Sequence, residues 1–85
     1  MKTIFVMVKC ELGQAYKVAE EAVETVEEVS EVYSVSGQYD LLMKCYLPPD
    51  ADIGHFVVER LQNLAGIKDT FTITAYKAFS EDKSY

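Results

Sequence analysis

In this 85-residue chain the stretch whose residue types raise a question of chemistry is Gly37-Gln38-Tyr39-Asp40. A two-residue Gly37-Gln38 loop between strands explains the glycine, because a type II′ hairpin needs positive φ at its first central position. It does not explain Asp40. Aspartate is disfavoured in strands, and a carboxylate next to Leu41 and Leu42 needs a partner. Two partners suit it. One is a small zwitterion, with the carboxylate taking an ammonium while turn amides or hydroxyls take the opposite charge. The other is the backbone of its own turn.

The remaining reactive side chains point to packing. His55 precedes the apolar Phe56 on the outer face of a helix. Cys10 and Cys45 lack CxxC spacing and sit in apolar strand context, so they read as free, buried thiols, a redox pair only if their strands are neighbours. No His, Cys or Glu cluster has metal-ligand spacing. A glycine-rich phosphate loop and a nucleophile elbow are both missing from the sequence. The sequence asks for no metal, no cofactor and no catalytic residue, so the expectation is a protein that is not an enzyme.

Charge and length bound the partners. A net charge of −6 argues against sequence-independent nucleic-acid binding and against an anionic membrane surface. The apolar runs fall short of the roughly 20 residues of a membrane span, and Ile4 to Val8 is too short for a signal-peptide core. A cytoplasmic location is expected. The glutamates between Glu20 and Glu28 read as the solvated face of a helix. One domain over residues 1–79 is expected, followed by a polar tail at 80–85.

Several elements must position these residues. Residues 3–10 (TIFVMVKC) read as a strand buried on both faces. Gly13 breaks the pattern, and Ala15, Val18, Ala19, Ala22, Val23 and Val26 form one helical stripe. Val29 to Ser36 and Tyr39 to Leu47 read as the next two strands, the latter stopped by Pro48-Pro49. Asp50 or Asp52 caps a second helix with the stripe Ile53, Phe56, Val57, Leu61 and Leu64, closed by Gly66. Ile67 to Phe79 is the last strand.

An internal repeat orders them. At an offset of 67 − 29 = 38, VSEVYSVS lies over IKDTFTIT, and Ala15, Val18, Ala19, Val23 and Val26 lie over Ile53, Phe56, Val57, Leu61 and Leu64. The chain is β-α-β twice, an α+β ferredoxin-like βαββαβ fold with both helices on one face of a four-stranded antiparallel sheet. Val29, Tyr33, Val35, Ile67, Phe71 and Ile73 are expected beneath the helices. Ser30, Val32, Ser34, Ser36, Thr70, Thr72, Thr74 and Tyr76 are expected on the other face. Phe5, Tyr33, Phe56 and Phe71 fall at core spacing. A mixed hydroxyl and apolar face is covered by a second copy, sheet to sheet, or is simply solvated.

The stretch from Glu31 to Lys77, with its SGQYDLL, FVVERL and GIKDTFT elements, resembles the ligand-sensing domain of the Lrp/AsnC regulator family, the RAM domain. The resemblance implies a dimeric α/β-barrel arrangement, rings of dimers, and an amino-acid effector in the cleft between neighbouring dimers. Position by position, it implies effector contacts at Gly37, Tyr39 and Asp40, hydroxyls from Thr70 and Thr72, and a ligand-tuning role for Gln38. Regulators of that family also carry a helix-turn-helix domain. Here Met1 leads straight into the first strand, so a stand-alone sensor is expected, without direct DNA contact and acting by co-assembly with full-length relatives. The competing reading is a small dimeric ferredoxin-like enzyme of the monooxygenase-like type, which would need a polar group between sheet and helices.

Overall fold

The computed structural model describes residues 1–81. Its elements are β1 (Lys2–Cys10), α1 (Ala15–Thr25), β2 (Val29–Ser34), β3 (Leu41–Leu47), α2 (Ile53–Phe56, widening into a π-helical segment over Val57–Leu61) and β4 (Ile67–Ala75). The sheet order is β2-β3-β1-β4 with every neighbouring pair antiparallel. This is the βαββαβ architecture that the repeat predicts. Residues 82–85, most of the expected polar tail, lie outside the described residues. Among the described residues no helix is long and apolar enough to cross a membrane.

The core lies where the alternating side chains of the two central strands meet the helices. Ile4, Val6, Val8 and Cys10 of β1 and Leu41, Met43, Cys45 and Leu47 of β3 are buried against Val18, Ala22 and Val26 of the first helical stripe. Phe56, Val57 and Leu61 close it from the second helix. Asp52 caps α2 by accepting the His55 backbone N–H at 3.0 Å, a bond that satisfies one orphan donor of the first turn. The second helix ends at Leu61, so Gly66 is not its cap. Gly66 stands at the entry to β4 with φ +96°, and its carbonyl accepts the Glu11 N–H at 2.8 Å.

The edge strands reverse the expected facing. Val29 pairs with Cys45, but Glu31 pairs with Lys44, leaving Ser30 as an extra residue. Likewise Ile67 pairs with Cys10 and Asp69 with Lys9, leaving Lys68 extra. An extra residue in one strand shifts its alternation to the opposite face. Val29 and Ile67 therefore do lie beneath the helices, while Tyr33, Phe71 and Ile73 lie on the open face and Val32 packs against the core. Thr70, Thr72 and Thr74 stand opposite Val8, Val6 and Ile4, on the helix side. Of the four aromatics expected in the core, only Phe56 is buried; Tyr33 and Phe71 are 46% and 54% exposed. The open face is thus more aromatic than the sequence pattern suggests, carrying Phe5, Met7, Leu42, Tyr33, Tyr46, Phe71 and Ile73.

The strands are also shorter than expected. β2 stops at Ser34, β3 starts at Leu41, and β4 ends at Ala75 rather than Phe79.

Candidate ligand-binding site at the β2–β3 rim

The connection between β2 and β3 is longer than a two-residue hairpin. Val35 N–H donates to the Asp40 carbonyl at 2.9 Å, which closes a four-residue loop over 36–39. Gly37 has φ +105° with open space around its α-carbon, so the dihedral alone demands glycine there. Lys9 Nζ donates to the Gln38 carbonyl at 3.1 Å and ties the loop to the end of β1.

Asp40 has a structural partner that neither sequence-based reading named. The last β1–β3 pair is Val8 with Leu41. Beyond it, Asp40 N–H donates to the Val8 carbonyl at 2.9 Å, and Asp40 Oδ2 accepts the Cys10 N–H at 2.8 Å. The carboxylate therefore extends the ladder by standing in for the next backbone carbonyl. This happens just past the end of the β1–β3 ladder, where pairing to β3 would otherwise lapse. Its charge, after burial, contributes to pushing the Cys10 thiol above its ordinary pKa.

Gln38 and Tyr39, with Lys9 and Asp69, line a hollow of about 270 Å³. The Tyr39 ring stacks on Phe71, with centroids 6.3 Å apart at 28°, giving the hollow an aromatic flank on the open-face side. Thr70 and Thr72 are elsewhere. They face the helices, and Thr70 Oγ1 accepts from Gln62 Nε2 at 2.8 Å. Within one chain the six sequence-selected residues therefore divide. Gly37, Gln38 and Tyr39 are gathered at the rim, Asp40 is engaged by β1, and Thr70 and Thr72 lie across the sheet. Lys9 and Asp69 escaped the sequence reading because each looks like an ordinary charged strand end. Only the register brings them opposite one another.

The cysteines are separate from this rim and from each other. Both are free and buried. Cys45 pairs with Ile4 on β1, six residues from Cys10, a separation of about 20 Å along a strand. That distance rules out a redox pair. Burial, reinforced by Glu28, pushes the Cys45 thiol up to about 12. Between sheet and helices the buried side chains are apolar groups and these thiols, with no polar or charged residue among the described ones.

Fold and rim together define a ferredoxin-like α+β domain with a tethered loop at one end of its open face. The chain belongs to the Lrp/AsnC ligand-binding domain family, whose model matches residues 3–85. It is 27% identical over 82 residues to an uncharacterized HTH-type transcriptional regulator of Pyrococcus furiosus, with 94% of this chain and 55% of that protein covered. A Pyrococcus horikoshii regulator is similar at 26% identity and the same coverage. The chain thus spans about half the length of these relatives. Among solved structures it resembles FFRP-DM1 (TM-score 0.81, 30% identity, covering 89% of this chain and 100% of that one). TTHA0845 from Thermus thermophilus is similar (TM-score 0.80, 30% identity, covering 95% and 100%). The fold is shared with the Neisseria meningitidis transcriptional regulator NMB0573, solved as a complex with L-Met (TM-score 0.80, 20% identity, covering 94% and 53%).

Proposed function

We propose that this chain is the amino-acid-sensing and assembly module of a transcriptional regulatory system and is not an enzyme. The effector binds at the β2–β3 rim, around Gly37, Gln38, Tyr39 and Asp40. A neighbouring copy completes the cleft, bringing the hydroxyls of Thr70 and Thr72 from its β4 edge. Chains pair through their open sheet faces and the pairs associate into rings. Regulation follows by co-assembly with full-length Lrp/AsnC regulators.

The observation that carries this reading is the rim itself. A loop held by Lys9 and by the Asp40–Cys10 bond presents polar groups beside an aromatic flank, the composition of a small-ligand site. Family membership supports a ligand-sensing role, and the L-Met complex of the Neisseria regulator supports an amino acid as its chemical class. The open face supports pairing, since it exposes Tyr33, Tyr46, Phe71 and Ile73 around the Glu31–Lys44 pair, and exposed apolar groups rimmed by polar ones mark interaction sites.

The test is a thermal-shift panel of the twenty amino acids run beside size-exclusion light scattering. A ligand of the native state raises its melting temperature, so at least one amino acid is expected to raise it or to change the oligomer mass. A flat panel on both readouts overturns the sensing role. Purification with a full-length relative that yields no mixed oligomer overturns the co-assembly.

A further inference from the structure

Lys9 and Asp69 stand opposite each other in the β1–β4 ladder and both line the hollow with Gln38 and Tyr39, yet no ion pair joins them. Lys9 Nζ reaches the Gln38 carbonyl instead, at 3.1 Å. Asp69 Oδ1 accepts the Thr70 N–H at 2.9 Å. Opposite charges facing across a strand pair ordinarily interact directly. Here a cation and an anion are turned apart on the walls of a small hollow.

We propose that Lys9 and Asp69 are the two poles of a zwitterion site, with Lys9 taking the α-carboxylate of an amino acid and Asp69 its α-ammonium. This rests on the amino-acid-sensing reading and names the side chains that carry it. An ammonium has three donors, so Lys9 holds the Gln38 carbonyl and the ligand carboxylate together. A carboxylate accepts more bonds than the one from Thr70 N–H occupies, so Asp69 serves both its own backbone and the ligand. The Tyr39–Phe71 stack lies beside these poles, so the site favours an apolar ligand side chain. The volume of about 270 Å³ lies just below the usual range of drug-sized ligand pockets and suits a single amino acid. A ligand held this way bridges the end of β1, the β2–β3 loop and β4. Asp40 is left to its structural bond with Cys10.

The experiment compares L-leucine, L-isoleucine, L-methionine and L-phenylalanine with their carboxamides and with their deaminated acids, by calorimetric titration of the intact chain. The wild type is expected to bind at least one amino acid tenfold or more tightly than its carboxamide or deaminated acid. Lys9→Met is expected to weaken the amino acid at least tenfold and to erase its advantage over the carboxamide, while Lys9→Arg restores part of it. Asp69→Asn is expected to erase the advantage over the deaminated acid. Both side chains are exposed, so the unliganded melting temperature should stay within a few degrees of wild type. Wild-type affinity in Lys9→Met and Asp69→Asn overturns the two-pole assignment and leaves amino-acid sensing standing. A wild type that binds none of the four, while other amino acids respond in the thermal-shift panel, overturns the apolar preference and with it this site. A wild type that answers no amino acid at all fails before any variant is made and overturns both.

Discussion

Asp40 and Cys45 are the two residues whose chemistry the fold changes most. Asp40 reads in the sequence as a carboxylate that needs a partner, either a ligand or its own turn backbone, and the structure gives it the Cys10 N–H at 2.8 Å. Asp40→Ala strands that donor, so a loss of about 1–3 kcal/mol in urea unfolding is expected. Asp40→Asn keeps an acceptor oxygen and should cost under about 1 kcal/mol. A ligand experiment on Asp40 must therefore use the asparagine variant, since the alanine variant confounds binding with folding. Cys45 makes the second prediction. Its folded pKa of about 12 lies above the ordinary 9.0, so the folded state favours the neutral thiol. That stability is fully present below pH 9 and is lost as pH rises from 9 towards 12. The melting temperature of the wild type should fall more steeply over that range than that of Cys45→Val. Equal slopes would remove the thiol from the alkaline limb.

Among the elements, order and type were legible, as were the buried stripes of the helices, but the facing of β2 beyond Val29 and of β4 beyond Ile67 was not. The repeat at 38 residues predicts six elements in the order found, because both halves carry the same helical stripe and strand pattern. The side on which β2 and β4 place their residues hinges on Ser30 and Lys68, single extra residues in the ladder. A polar residue near the start of an edge strand fits either alternation, so nothing in its type marks the shift. Tyr33, Phe71 and Ile73 then look like core because they alternate with hydroxyls. The rim was legible as a locus through Gly37 and Asp40. Lys9 and Asp69 were not, because their meeting depends on the β1–β4 register.

Gly66 tests how the elements are joined. A β-carbon there would sit 3.0 Å from Val18 Cγ2 and 3.1 Å from Gln14 Cβ, and φ +96° is itself unfavourable for any side chain. Gly66→Ala is expected to cost about 1–3 kcal/mol, measured by urea unfolding. A neutral substitution would mean that the entries to α1 and β4 are not locked together as the Glu11–Gly66 bond suggests.

The whole molecule has one face under helices and one without cover. The uncovered side carries the large side chains of four strands, and Ile73 stands opposite Phe5 near its middle. If two chains meet there, Ile73→Glu puts two carboxylates into the contact and should drop the mass to that of one chain in light scattering. The circular dichroism of the folded domain should be unchanged, because Ile73 contributes nothing to the helix-side core. A variant of unchanged mass would place the contact elsewhere.

The duplication that builds the fold stops short of the rim. The offset of 38 that lays Ser30 on Lys68 also lays Gly37, Gln38, Tyr39 and Asp40 on Ala75, Tyr76, Lys77 and Ala78. The first four form a loop tied back to β1. The second four leave the end of β4 beside a different hollow at the far end of the open face, lined also by Thr3, Phe5 and Tyr46. Glycine and aspartate, the two residues that shape and anchor the loop, are both replaced by alanine. Pseudo-symmetry in the scaffold is thus broken at the one place where a ligand would be read. On the proposed sensing role, two like halves carry one rim, and a titration should saturate at a single equivalent per chain.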